Sequence, residues 1–267
     1  MTTDLQNAGP ELDEVRAPRL AASPRTARLR HGTQDDEPAY VLHAYPFKET
    51  SLVIEVFSRN FGRLGLVARG ARRPRSALRG MLMAFQPLSL SWAGKSELRT
   101  LHRAEGLAGH AQLGGMSLMC GFYLNELLLK LMQREDAHEG LYDAYENALT
   151  ALRTQDGHAR TLRRFEKQLL RELGYGLSLE RDAQGDAIRA DARYTYLLEA
   201  GPALQPEPSA SGRVDVLGRT LLDMAIDDYR LASTMQESRA LMRYILNHYL
   251  GGQVLHTRQL LLEMQQI

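Results

Sequence analysis

The densest group of charged side chains in this sequence is a run of seven arginines between residues 59 and 79. They are Arg59, Arg63, Arg69, Arg72, Arg73, Arg75 and Arg79. No Asp or Glu occurs from Val56 through Ser96, and the whole chain has a formal net charge of only +1. A planar guanidinium binds phosphate through two parallel hydrogen bonds, so clustered arginines indicate a polyanion such as nucleic acid. The alternative is a solvated basic loop without a partner.

The totals for the chain narrow the classes of protein that it can belong to. A length of 267 residues suggests two domains, or one domain with an appendage. The single cysteine, Cys120, excludes an intrachain disulfide and a cysteine-based metal site. No apolar run is long enough to span a bilayer, so we expect a cytoplasmic protein that contacts no membrane. Residues 1–37 are polar and contain three prolines, which predicts a disordered N-terminal tail.

Five short segments between residues 38 and 112 have the pattern of β-strands. They cover residues 39–45, 51–58, 63–68, 88–92 and 98–103. A turn signal at residues 60–62 joins the second and third strands as a hairpin, and Gly65 inside the third indicates a bulge or tight bend. Five strands in so short a stretch favour a small closed barrel of the OB type, which predicts an α+β protein with an N-terminal OB-fold.

The arginine loop, residues 69–79, connects the third and fourth strands of this predicted barrel. A basic loop beside a small barrel is a common surface for single-stranded nucleic acid, because the backbone follows the positive charge and the bases stack on exposed rings. Tyr45, Phe47 and Phe61 are the candidate rings. Each of them can instead pack within the barrel or its hairpin.

From residue 113 to 267 the apolar period changes from 2 to 3.6, which predicts an α-helical domain. Three amphipathic helices follow one another, and Gly174 lies where the third helix needs a C-terminal cap. Residues 178–213 form an irregular insert with one hairpin near residues 193–198. Further helices follow, and a capping-box pattern from Thr234 to Glu237 predicts where one of them begins.

No catalytic motif is found in the sequence, which has neither a metalloprotease HExxH pair nor a phosphate-binding GxxxxGK[ST] loop. The positive signal is for binding, so we expect a protein that is not an enzyme. Two rival classes stay open. A DNA-modifying enzyme would need clustered carboxylates or a nucleophile, and a sequence-specific regulator would need a recognition helix.

Seven short motifs occur in a characteristic order. They read YVL at 40–42, ETSL at 49–52, FGRL at 61–64, ARGARR at 68–73, FYLNEL at 122–127, RFEKQLL at 164–170 and LGYG at 173–176. In this order and spacing they resemble the bacterial recombination mediator family RecO, from about residue 38 to the end of the chain.

The resemblance implies an N-terminal OB-fold, a helical domain and an insert. It also implies binding of single- and double-stranded DNA, annealing of complementary strands and loading of the RecA recombinase in the RecF pathway. The usual partners are RecR and the acidic C-terminal tail of single-stranded DNA-binding protein. Many members carry a four-cysteine zinc site after the LGYG segment. Arg181 and Gln184 stand at the places of its first cysteine pair, so we expect no metal and no cofactor.

Two sets of site residues follow from these arguments. The seven arginines are the predicted DNA-binding set. An acidic peptide would need an apolar pocket with a basic rim, and the helical domain offers one hypothetical set of side chains for it. That set is Tyr123, Lys130, Arg134, Arg164, Lys167 and Arg171. The alternative for these residues is an ordinary solvated helix surface.

Overall fold

The β-rich first part of the chain closes into a barrel. The computed structural model describes residues 32–107, 111–154, 157–204 and 213–264. The strands of the barrel are β1 (Thr33–Phe47), β2 (Ser51–Ser58), β3 (Gly62–Ala68), β4 (Pro87–Ala93) and β5 (Leu98–Gly106). Their order around the barrel is β1-β2-β3-β5-β4, with β3 and β5 parallel and every other pair antiparallel. The predicted OB-type barrel is confirmed, and a single helical turn, α1 (Leu78–Met81), ends the arginine loop.

Gly65 does not mark a bulge, because β2 and β3 pair without any shift of register. The register shifts lie instead in the pairings of β1 with β2 and β4 and of β4 with β5. A side chain at position 65 would lie 2.7 Å from Leu98 Cδ2 and 3.0 Å from a guanidinium nitrogen of Arg134. The glycine is therefore explained by close packing on the outside of the barrel and not by its backbone conformation.

The ordered chain begins earlier than the expected boundary at residue 38, since β1 starts at Thr33 and pairs with Ala93 of β4. Glu37 explains why this polar segment is ordered. Its buried carboxylate accepts hydrogen bonds from Ser58 Oγ at 2.7 Å and from the backbone N–H of Asn60 at 2.8 Å. Glu37 therefore fixes the turn between β2 and β3. Residues 1–31 of the predicted tail lie outside the described residues.

The second part of the chain is mainly helical. Its helices are α2 (Gly115–Leu131), α3 (Glu139–Arg153), α4 (His158–Glu172), α5 (Gly218–Ala225), α6 (Ala232–Tyr249) and α7 (His256–Met264). Helix α2 is apolar over most of its circumference because it packs against α3, α4, α7 and strand β1. Gly174, at φ 86°, follows α4 as predicted, and the N–H of Tyr175 bonds to the carbonyl of Leu170.

The insert contains a three-stranded sheet in the order β7-β6-β8, formed by β6 (Arg193–Leu197), β7 (Gly201–Leu204) and β8 (Val214–Leu217). The predicted hairpin is therefore present, with one additional strand. Before it, the chain turns around Asp182, whose carboxylate accepts the backbone N–H groups of Gln184 at 3.0 Å and Asp186 at 2.9 Å. Arg181 and Gln184 supply no thiolate, so this turn does not fit a zinc ion.

The predicted capping box at the start of α6 is wrong. Helix α6 begins at Ala232, two residues before Thr234, so both box residues lie inside the helix. Thr234 instead donates a hydrogen bond to Asp223 of α5 at 2.8 Å, and Glu237 accepts one from Thr220 at 2.6 Å. These hydrogen bonds connect α6 to α5. The sequence pattern around Thr234 does not reveal this contact, because the partners lie on another helix.

The barrel and the helices share a hydrophobic core. One core cluster fills the inside of the barrel, but Tyr40, Leu42 and Phe57 point out of the barrel and belong to the cluster of the helices. Their rings meet those of α3, with the centroids of Tyr40 and Tyr145 5.2 Å apart and those of Phe57 and Tyr142 5.5 Å apart. We call this contact between the barrel and the helices the seam. Because aromatic rings from both parts are buried in it, the seam belongs to the hydrophobic core and is not a hinge.

Hydrogen bonds cross the same seam. Tyr145 Oη donates to Asn125 Oδ1 at 2.6 Å, and Asn125 Nδ2 donates to the carbonyl of Leu42 at 2.9 Å. Burial raises the pKa of Tyr145 well above its ordinary value, so this hydroxyl remains a donor. Gly62 adds a steric condition: a Cβ there would lie 1.9 Å from the backbone oxygen of Asp136.

Candidate nucleic-acid interface and peptide pocket

The arginine loop is held by the barrel on both sides of its exposed centre. Ala71 is buried in the barrel core, and Leu82 is buried after the helical turn. The backbone N–H of Arg72 donates to the carbonyl of Thr50 at 2.8 Å, which ties the loop to the turn between β1 and β2. Gly70 at φ 69° supplies the left-handed conformation that turns the chain out of β3. The loop is therefore a fixed part of the barrel surface.

Five predicted DNA-binding arginines share this loop and are all exposed. They are Arg69, Arg72, Arg73, Arg75 and Arg79. Among the described residues none of the five forms an ion pair; the guanidinium of Arg72 donates one hydrogen bond, at 3.3 Å, to the carbonyl of Lys48. Five uncompensated guanidinium groups on one anchored loop create a local positive potential that attracts a polyanion.

Arg59 and Arg63 lie elsewhere, at the seam between barrel and helices. Arg59 makes a two-pronged ion pair with Asp143 of α3, with nitrogen–oxygen distances of 2.6 and 3.2 Å. Arg63 is half-buried and donates to the carbonyl of Met132 at 3.0 Å, close to Glu55. Both guanidinium groups are used within the molecule, so we leave them out of the DNA-binding set.

The three candidate rings also divide into one that packs within the protein and two that lie on its surface. Phe61 packs edge-on against Trp92 with centroids 5.5 Å apart, beside the barrel core, as its alternative assignment requires. Tyr45 and Phe47 lie on the outside of β1, where Tyr45 is 47% exposed. Their positions allow contact with a bound strand, whereas Phe61 is committed to packing.

The hypothetical peptide-binding set does not come together in the fold. Arg134 pairs with Glu55 of the barrel, and Lys130 pairs with Glu126 at 3.1 Å and with the backbone before α7. Lys167 bonds to the carbonyl of Met224 at 2.6 Å. Arg164 and Lys167 meet at Asp227 after α5, where Arg164 bonds to the carbonyl and Lys167 to the carboxylate at 2.7 Å. Arg171 is exposed on α4, and Tyr123 lies on α2 and bonds to Glu166 of α4.

Tyr123 does line an apolar cavity with a basic rim, formed by helices α2, α4, α6 and α7. The cavity has a volume of about 540 Å³. Its apolar lining includes Met116, Cys120 and Leu162, and arginines from three helices, which we call the rim, also line it. These are Arg163, Arg239, Arg243 and Arg258. Of the six predicted peptide-binding residues only Tyr123 lines this cavity, and the arginines that line it are up to 95 positions apart in the sequence.

The electrostatics of this cavity favour an anion. Glu166 is fully buried beneath the rim and accepts hydrogen bonds from Tyr123 at 2.7 Å and from Arg163 at 2.5 Å. Burial raises the pKa of Glu166, and burial together with the neighbouring arginines lowers the pKa of Arg243. Mutual repulsion between rim arginines is relieved when a carboxylate binds between them, so the cavity suits an acidic peptide with an apolar end.

Other kinds of site are not found in the described part of the chain. No three His, Cys, Asp or Glu side chains lie close enough together there to hold a metal ion. No helix in the same part is sufficiently long and apolar to cross a bilayer.

Comparison with known proteins agrees with this architecture. A family model described as "Recombination protein O N terminal" matches residues 34–110, and one described as "Recombination protein O C terminal" matches residues 115–259. The chain is 52% identical over 235 residues to the DNA repair protein RecO of Nitrosospira multiformis, covering 88% of this chain and 97% of the relative. It is 46% identical to that of Burkholderia lata over 271 aligned residues, covering 100% and 97% of the two chains. The chain belongs to the RecO family of DNA repair proteins.

Proposed function

We propose that this protein is a recombination mediator in DNA repair. It binds single- and double-stranded DNA without sequence specificity, anneals complementary strands and helps load RecA onto single strands covered by single-stranded DNA-binding protein. The observation that carries the proposal is the anchored loop with five exposed arginines and no ion pair among the described residues. This role places the protein with the bacterial chromosome, in the cytoplasm.

Annealing follows from charge neutralisation. Two DNA strands repel each other because each is a line of phosphates, and arginines that contact both strands lower the repulsion and release counterions. The arginine loop projects five cations from one turn, and guanidinium contacts to phosphate carry no sequence information. The chemistry of this step requires no metal and no nucleotide, since no covalent bond is made or broken.

The salt dependence of binding tests the arginine loop. If the five arginines each neutralise one phosphate, the logarithm of duplex affinity falls with the logarithm of salt at a slope of about −4.5. Replacing Arg72, Arg73 and Arg75 by alanine leaves two cations and changes the slope to about −2. Arg171→Ala, which removes an equally exposed arginine from α4, is the matched control and should leave the slope unchanged.

Annealing of two complementary fluorescent oligonucleotides tests the activity itself. We expect acceleration in a chelator and without nucleotide, and loss of acceleration in the triple variant. Binding without annealing would reduce the protein to an adaptor. A preference for one DNA sequence over an unrelated competitor would instead favour the regulator class, and metal-dependent loss of substrate would favour the enzyme class.

We further propose that the arginine-rimmed cavity receives the acidic tail of single-stranded DNA-binding protein. The support is chemical: an apolar lining takes an apolar end residue, and the rim pairs with carboxylates. Reversing the charge of Arg239 and Arg243 should abolish binding of a fluorescent tail peptide. Reversing Arg164 and Lys167, which bond to backbone carbonyls outside the cavity, should leave binding intact. The opposite pattern would move the site back to the α4 face.

RecR is the remaining proposed partner. Its binding follows only from membership of the family, and no surface is assigned to it. Pull-down of RecR by the chain, compared between the wild type and the two charge-reversed pairs above, tests whether the RecR surface is separate from the cavity. We expect both reversed forms to retain RecR.

A further inference from the structure

An uncharged face with exposed rings lies beside the arginine loop, on the outside of the barrel. Alternation along β1 puts His43, Tyr45 and Phe47 on the same side of the strand. The rings of His43 and Tyr45 have centroids 4.3 Å apart and planes tilted by 55°. His43 and Tyr45 are exposed, and Phe47 is half-buried. Exposed neighbouring rings on a strand are unusual in the absence of a partner, because their burial is favourable.

The same face continues across the neighbouring strands through uncharged side chains. The register places Tyr45 opposite Val53, Val53 opposite Val67, and Val67 opposite Thr100. These three side chains are half-buried. We call the set His43, Tyr45, Phe47, Val53 and Val67 the ring face.

A carboxylate near the ring face is already neutralised. Glu55 lies opposite His43, but its side chain is only 6% exposed and pairs with Arg63 and Arg134. A phosphodiester strand that passes over this face therefore meets no free negative charge from Glu55.

The ring face leads directly into the arginine loop. Lys48 follows Phe47, and its Nζ lies 5.4 Å from the centroid of that ring. The guanidinium of Arg72 donates to the carbonyl of Lys48, and Arg69 stands two residues beyond Val67 along β3. Rings and cations thus adjoin at this end of the barrel, and sequence-tolerant binding of single strands uses such a combination of rings and cations.

We propose that the ring face is the path of single-stranded DNA, and that duplex DNA uses the arginine loop alone. This inference rests on the proposed DNA-binding function and refines it. Unpaired bases stack on Tyr45 and His43 while the backbone reaches Lys48 and the arginines. In a duplex the bases are already stacked on one another, so only the phosphates are available. Single-stranded and duplex DNA both contact the cations, and only single-stranded DNA contacts the rings.

This division favours release of the annealed product. A single strand contacts both the rings and the cations of the protein, whereas the duplex product contacts only the cations. The protein therefore binds the substrate of annealing more tightly than the product and releases the duplex after pairing. Tyr45 is in this sense a specificity residue for the single-stranded state.

Removing the ring of Tyr45 tests the proposal. Stacking contributes about five- to 150-fold in affinity per base, so Tyr45→Ala should weaken binding of an oligothymidylate of about 12 nucleotides by a factor in that range. Tyr45→Phe keeps the ring and should bind as the wild type does. Tyr45→Leu keeps the apolar bulk without the flat ring and should behave like Tyr45→Ala. Affinity for a duplex of the same length should be equal in all four proteins.

An abasic strand of the same length gives a second measurement that needs no mutation. The wild type should bind it at least as weakly as Tyr45→Ala binds oligothymidylate, because the phosphates are present and every base is missing. Equal binding of abasic and normal strands by the wild type would overturn the proposal. A parallel loss of single-strand and duplex binding in Tyr45→Ala would also overturn it. Failure of the wild type to bind any DNA at low salt would instead refute the DNA-binding function itself.

Discussion

Replacing Tyr145 by phenylalanine tests whether the barrel and the helices form one cooperative unit. The substitution keeps the buried ring in contact with Tyr40 and removes only the hydroxyl. Asn125, which is 2% exposed, then has a carboxamide oxygen without its donor. Leaving a buried acceptor unsatisfied costs about 1–3 kcal/mol. For a chain of this size, about 2 kcal/mol corresponds to a decrease in Tm of about 4–8 °C.

Two optical probes make the experiment specific. The single tryptophan, Trp92, is buried in the barrel, so its fluorescence reports on the barrel, while far-UV circular dichroism reports on the helices. In urea we expect both midpoints to coincide in the wild type and to move together in Tyr145→Phe, because the shared core couples the two parts. Tyr45→Phe, which removes an exposed hydroxyl, should stay within about 0.5 kcal/mol of the wild type.

A double-mutant cycle with Asn125→Ala then isolates the bridging hydrogen bond. Because the two residues bond to each other, the double variant should be more stable than the sum of the single effects predicts, by about 1 kcal/mol. The reasoning would be refuted by additive effects, or by fluorescence and dichroism midpoints that separate in the wild type.

Three further predictions concern other parts of the molecule. Burial raises the pKa of the Cys120 thiol from 9.0 to about 11. The thiolate fraction of Cys120 at neutral pH should therefore be about a hundredfold below that of a free thiol, and DTNB should react with it rapidly only in denaturant. Asp182→Ala removes the acceptor of two backbone amides in the insert and should lower the free energy of unfolding in urea by about 1–2 kcal/mol. Neither a chelator nor added zinc should change the free energy of unfolding of the wild type. Partial burial opposes ionisation of Glu126, but hydrogen bonds from the start of α7 outweigh it and lower the pKa of Glu126. The carboxylate therefore stabilises α7 at pH values above the ordinary pKa of a glutamate, and this stabilisation is lost as the pH falls. Hydrogen exchange of the α7 amides, corrected for intrinsic rates, should accelerate in acid. Glu126→Gln should show the same acceleration already at neutral pH.

The sequence predicted the elements whose side chains follow a local period. The alternation in β4 is visible because Leu88, Leu90 and Trp92 all face the barrel core, and α3 and α4 are amphipathic because each has one solvated face. Strand β2 was predicted from its β-branched and aromatic composition. The five arginines of the loop were equally accessible to sequence reasoning, since a run of cations without nearby acids has no local partner.

Sequence reasoning failed where a side chain is paired across the fold. Arg63 looks like its neighbours in the run, but Glu55 and the carbonyl of Met132 bind it from two different elements. Glu37 has the composition of a polar tail, and only its bonds to the turn at Asn60 show that it is structural. The cavity rim could not be deduced, because no local period relates Arg163 to arginines on α6 and α7.

The seam between barrel and helices also limits how modular this protein is. The two family models divide the chain between residues 110 and 115, yet Tyr40 and Phe57 lie in the core that continues into α3. A barrel expressed alone would present these rings to water and tend to aggregate. A chimera that joins this barrel to the helices of a relative needs the matching α3 surface and a glycine at position 62, where the backbone of residue 136 leaves no room for a side chain. The unit that can be exchanged between relatives is therefore the barrel together with the segment that covers it.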